Sequence, residues 1–105
     1  MTNLKAARKT MNEMGAVVRD EAFDYWRESC VVDAERPDEW TQAAVLYENY
    51  LKRAKEYGNN RGDKKLAKQE LATETRWGKM MGSQYPTKRR TRVGWFYPVR
   101  LKRGA

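Results

Sequence analysis

The sequence predicts a mainly α-helical domain closed by one small β-hairpin. Three observations lead there. At 105 residues the chain has room for one domain with a modest core. Apolar residues recur at helical spacing up to Met81. From about residue 86 the composition turns aromatic and β-branched around a basic block.

Residues 3–14 read as a short helix, capped by Asn3, with Leu4, Ala7, Met11 and Met14 at helical spacing. Gly15 ends it, so residues 1–19 form a helical extension. Asp20 caps a second helix, EAFDYWRESCVV, whose Phe23, Trp26 and Cys30 share a face with Arg27. DAERPD, residues 33–38, is a polar turn stopped by Pro37, and Trp40 falls in a short extended stretch. Thr41 caps the strongest helix, where Ala43, Leu46, Tyr47, Tyr50, Leu51 and Ala54 form an amphipathic stripe ended by Gly58. NNRGD is a loop, and KKLAKQELA is a helical turn or an ordered loop. A further helix runs from Thr73 to Met81 and closes at Gly82. Residues 86–102 form a hairpin with a basic arm, TKRRTR, and an apolar arm, WFYPVRL. Gly94 marks a bend or bulge there, and Pro98 belongs on a sheet edge, where its missing N–H costs least. The expected core is Phe23, Trp26, Leu46, Tyr47, Tyr50, Leu51, Trp77 and Met81.

Charge separates the two halves. Residues 1–52 carry 7 basic and 10 acidic side chains, net −3; residues 53–105 carry 15 and 4, net +11. A one-sided distribution of this kind marks a face for a polyanion. Catalysis finds little support. There is no histidine, and the lone Cys30 has nothing to activate it. Asp20, Glu21, Asp24 and Glu28 form i, i+4 pairs, but acids in a first turn answer the helix dipole and need no metal. No phosphate-binding glycine loop is present. We therefore expect no enzyme activity, no cofactor and no metal. The lone cysteine, frequent charges and lack of an apolar leader fit a cytoplasmic protein with no membrane partner.

Three helices followed by a basic hairpin is the order of a winged helix-turn-helix. On this expectation the chain is a single DNA-binding domain. The hairpin block Lys88, Arg89, Arg90 and Arg92 would meet phosphates. Arg76 and Lys79 would lie on the polar side of the last helix, with Arg76 best placed to reach a base edge. Thr73 and Thr75 would donate to phosphate at its N-terminus, and Lys64, Lys65 and Lys68 would add charge before it. Alternation along Trp95, Phe96 and Tyr97 buries some and exposes others, and an exposed ring could stack on a base. Duplex DNA is the expected partner. The alternatives are single-stranded nucleic acid, or a protein-interaction module docking a helicase or host protein.

Four segments carry a resemblance: RDEAFDYWRESC, WTQAAVLYENYLKRAKEYG, TETRWGKMM and KRRTRVGWFYPVRLKR. Together they make the chain, from about Ala6 onward, similar to the C-terminal domain of phage and plasmid primase-helicases. These belong to the superfamily 3 type related to the poxvirus primase-helicase. The resemblance implies a winged helix that touches DNA beside an ATP-driven helicase domain, in cis or in trans. No Walker motif or primase residues accompany it here, which fits either an excised C-terminal piece or a free-standing phage or mobile-element protein.

Overall fold

In the computed structural model the first element is a single 27-residue helix, α1 (Leu4–Cys30). The structure describes residues 4–105, with side chains from Val17 onward. The expected cap Asn3 and the facing of Leu4, Ala7, Met11 and Met14 therefore lie outside the described residues. The helix neither stops at Gly15 nor restarts at Asp20. One interior glycine costs a helix about 1 kcal/mol. The face that follows, Ala22, Phe23, Trp26 and Cys30, is buried, and that burial outweighs the penalty. The β-branched pair after Cys30 leaves the helix as strand β1 (Val31–Asp33).

A 3₁₀ turn at Pro37–Glu39 reverses the chain into β2 (Thr41–Gln42). Thr41 is a strand residue and not a helix cap, because its hydroxyl donates to the Val99 carbonyl at 2.8 Å. Helix α2 (Ala43–Arg53) starts from Gln42 without a side-chain cap. It tightens to 3₁₀ geometry at Ala54–Glu56 and finishes as a single turn, α3 (Tyr57–Asn60). Gly58 lies inside that turn and does not end the helix. It is glycine because a Cβ there would stand 2.0 Å from the Lys64 carbonyl oxygen. The turn that follows belongs to Gly62, with φ of 86°.

The connection from residue 61 to 73 is ordered, with one 3₁₀ turn at Lys68–Glu70. The Leu66 N–H donates to the Lys55 carbonyl at 2.9 Å. Two tyrosines of α2 hold Ala72: Tyr50 Oη accepts from its N–H at 2.8 Å, and Tyr47 Oη donates to its carbonyl at 3.1 Å. Helix α4 (Glu74–Gln84) follows, with Thr73 as its cap accepting from the Arg76 N–H at 3.3 Å. Gly82 does not close α4, which continues two residues beyond it.

The expected hairpin is present, as β3 (Arg89–Thr91) and β4 (Gly94–Tyr97), extended by β5 (Val99–Leu101). Pro98 is not on a sheet edge. It stands where the second arm leaves one sheet for another: β4 lies between β2 and β3, and β5 pairs with β1. All these pairings are antiparallel. The molecule is thus mainly helical with two small antiparallel sheets.

The core contains Phe23, Trp26, Leu46, Tyr50, Trp77 and Met81, with Tyr47 and Leu51 half-buried against it. Trp26 touches Phe23, Tyr50 and Trp77 with ring centroids at 5.8, 5.7 and 6.1 Å. Its indole N–H donates to Asn49 Oδ1 at 2.7 Å. Val31, Leu66, Leu71, Ala72, Tyr97 and Val99 complete the core and were not expected there. Cys30 is buried, and burial pushes its thiol above the usual range, which keeps it protonated.

Candidate nucleic-acid interface

The hairpin's first arm concentrates unpaired positive charge. Strand register sets Arg90 opposite Trp95 and Arg89 opposite Phe96. Side chains alternate along a strand, so Arg90 shares a face with Trp95 and Arg89 takes the other. Lys88 Nζ stands 4.6 Å and the Arg90 guanidinium 5.7 Å from the Trp95 ring centroid. Arg89 lies 5.1 Å over Trp40. Arg92 occupies the tip. Among the described residues no carboxylate pairs with any of these four cations, whereas Arg27, Arg36, Arg61, Lys65, Arg76 and Arg100 each have one.

The tip is braced from within. Thr91 Oγ1 accepts from the Val93 N–H at 3.3 Å, and the Gln42 side chain donates to the Val93 carbonyl. Gly94, at φ 126°, holds a backbone conformation that a side chain would strain.

A groove of about 410 Å³ separates the hairpin from α4. Lys88 and Trp95 line it from the hairpin, and Thr75, Gly78, Lys79 and Gly82 from the helix. Glu74, in the first turn of α4, is the acid on its rim. Thr75, Lys79 and Lys88 are therefore brought together. Arg76 is turned the other way, toward α1, with its guanidinium 3.8 Å from Asp20. Thr73 is occupied as the helix cap. The three lysines before α4 do not join the hairpin groove. Lys65 pairs with Glu56 at 2.9 Å, which holds that carboxyl below its usual range, and Lys65 and Lys68 line a separate trough along α2. Lys64 is exposed.

Sequence reasoning missed Trp40, Gln42, Gly78 and Gly82 as parts of this surface. It also left open which hairpin aromatic is exposed. Trp95 and Tyr97 are two apart on β4 and share a face, so alternation alone does not separate them. Tyr97 packs on Trp77 at 6.2 Å and is 3% exposed; Trp95 is 40% exposed. Among the described residues no helix is long and apolar enough to cross a membrane. Compared with protein-family models, characterised proteins and solved structures, the chain matches none.

Proposed function

We propose that this chain is a non-enzymatic nucleic-acid-binding domain of the winged helix-turn-helix type, holding duplex DNA between α4 and the hairpin. The observation that carries the proposal is the row Lys88, Arg89, Arg90 and Arg92, exposed and without carboxylate partners among the described residues, beside the groove along α4. Neutralising phosphates releases counterions, and cations not already paired gain most from it. The element order supports the fold type. A long helix, two short strands, the helices α2 and α4 with the single turn α3 between them, and a hairpin follow one another, and β2 pairs with the hairpin's second arm. In this scheme α2 and α4 are the helix-turn-helix pair, joined by a long but anchored connection, and the hairpin is the wing. Duplex is favoured over single strands because the Trp95 ring is already occupied by Lys88 and Arg90. An open stacking platform would leave that ring free. The resemblance of the four segments to superfamily 3 primase-helicases supports a place in phage or plasmid replication, beside a helicase ATPase in cis or in trans.

The test is a salt titration of duplex binding for the parent and for K88Q/R89Q/R90Q/R92Q. Glutamine keeps much of the stem over each aromatic ring while removing the charge. The variant should melt within a few degrees of the parent and lose about 100-fold or more in affinity at low salt. The slope of log affinity against log salt should fall by about 3.6 if all four cations meet phosphates, since each phosphate contact contributes about 0.9. An unchanged affinity and slope would remove the hairpin from the interface. Competition by single strands of the same length decides between duplex and strand.

A further inference from the structure

We infer that the trough between α2 and residues 65–73 docks a partner protein's acidic segment through one or two apolar anchors. The inference stands apart from the nucleic-acid proposal. A cavity of about 620 Å³ is floored by Leu51, Leu66 and Ala67 and walled by Lys52, Lys55, Lys65 and Lys68. Through Leu51 and Lys68 it continues into a second cavity of about 430 Å³ that reaches Tyr47 and Leu71. The trough follows α2 for about 12 Å between Tyr47 and Lys55, at 1.5 Å per helical residue. That length suits about four extended residues or two helical turns.

Charge complementarity selects the occupant's sign. Among the described residues Lys52, Lys55 and Lys68 have no carboxylate partner, and Glu48 is the one acid that lines the cavity. Glu56 nearby is already bonded to Lys65. The floor selects its class. A hydrated sugar–phosphate strand gains nothing from Leu51, Leu66 and Leu71, whereas a peptide can bury an apolar side chain there and present carboxylates to the lysine walls. Lysine suits such a wall, because its stem lies along apolar surface while the ammonium stays in water. The far wall is fixed before binding by the Leu66 bond to Lys55 and the two tyrosine bonds to Ala72, which limits the ordering cost.

The experiment uses the full chain and a fluorescein-labelled synthetic peptide of Asp and Glu carrying one Leu and one Phe three residues apart. A second peptide has Ser in place of both anchors. Anisotropy should detect binding of the anchored peptide and at least tenfold weaker binding of the Ser peptide. K52E/K55E should weaken the anchored peptide at least tenfold while duplex DNA affinity changes less than threefold. Amide shifts of Leu51, Leu66 and Leu71 in the parent protein should move on peptide addition, a readout that needs no variant. No binding of the anchored peptide overturns the inference, as does equal binding of both peptides. Displacement of the peptide by duplex or single-stranded DNA also overturns it, and assigns the trough to nucleic acid. Loss of DNA binding in the hairpin variant, with peptide binding intact, supports both proposals separately.

Discussion

Tyr50 and Tyr47 show how two residues of one stripe come to do different work. Both sit on the predicted apolar face of α2, and the stripe was legible because Ala43, Leu46, Tyr47, Tyr50, Leu51 and Ala54 keep helical spacing. Their hydroxyl partners were not legible, since Ala72 lies 22 and 25 residues away and nothing in its neighbourhood announces contact. Tyr50 is fully buried and supplies the only acceptor for a buried N–H, whereas Tyr47 is half-buried and its bond to the Ala72 carbonyl lies near solvent. Tyr50→Phe should therefore cost about 1–3 kcal/mol, the desolvation of an unpaired buried donor. Tyr47→Phe should cost less, about 1 kcal/mol or under, because water can replace the lost donor. Urea midpoints of the two variants at unchanged slope check the order. If Tyr47→Phe proves the more damaging, the connection before α4 is not held as described. The misplaced sequence expectations at this scale share one cause. Gly15, Gly58 and Gly82 have the residue type of a helix end, yet none has positive φ; the described glycines that do are Gly62, Gly94 and Gly104.

At the scale of elements, α4 carries a cost that its own fold does not explain. Gly78 and Gly82 stand in an 11-residue helix, and a Cβ added at either would meet nothing within 4 Å. Internal packing does not require them, although each lowers helix stability by about 0.5–1 kcal/mol relative to alanine. Both line the groove facing Lys88 and Trp95, one turn apart. Under the proposed function a bound backbone would approach closely here, and glycine is used where another chain must come near. Gly78→Ala/Gly82→Ala should raise the melting temperature by several degrees and weaken duplex binding about tenfold or more. A stabilised variant that binds DNA as the parent does would show that nothing approaches this side of α4. The helix itself was readable from Trp77 and Met81, and so was the hairpin from its change of composition. The groove was not readable, because it depends on how the wing is set against α4, and that is decided by the two-residue strand β2 and by the Gln42 bond to Val93. A strand that short carries no period of its own.

Across the whole molecule, α2, α4, the hairpin and the basic second half were written in the sequence, but the unbroken α1, strand β1 and the closure of the chain were not. Strand β5 returns to pair with β1, the Lys102 N–H donates to the Cys30 carbonyl at 2.7 Å, and Val99 is fully buried. The last strand thereby locks the end of α1 into the same core that α2 and α4 share. That core holds two buried phenols, Tyr50 and Tyr97, and these bear on how stability depends on pH. With no histidine in the chain, little titrates across the neutral range, so stability should be flat there. Burial pushes the Tyr50 and Tyr97 hydroxyls above the ordinary tyrosine value, and the Glu21 carboxylate bonded to Tyr57 raises that one too. A group whose pKa is raised on folding keeps its proton in the native state while the unfolded chain loses it. Its contribution is complete below the unfolded value, about pH 10 for tyrosine, and is lost as pH rises toward the folded value. Denaturation midpoints should thus hold steady from about pH 6 to 9 and fall steeply above about pH 10. The tyrosinate absorbance of the buried rings should appear together with unfolding and not before it. If every tyrosine titrates while far-UV circular dichroism still reports a native helix content, the packing of α2 against α4 and β4 described above is wrong.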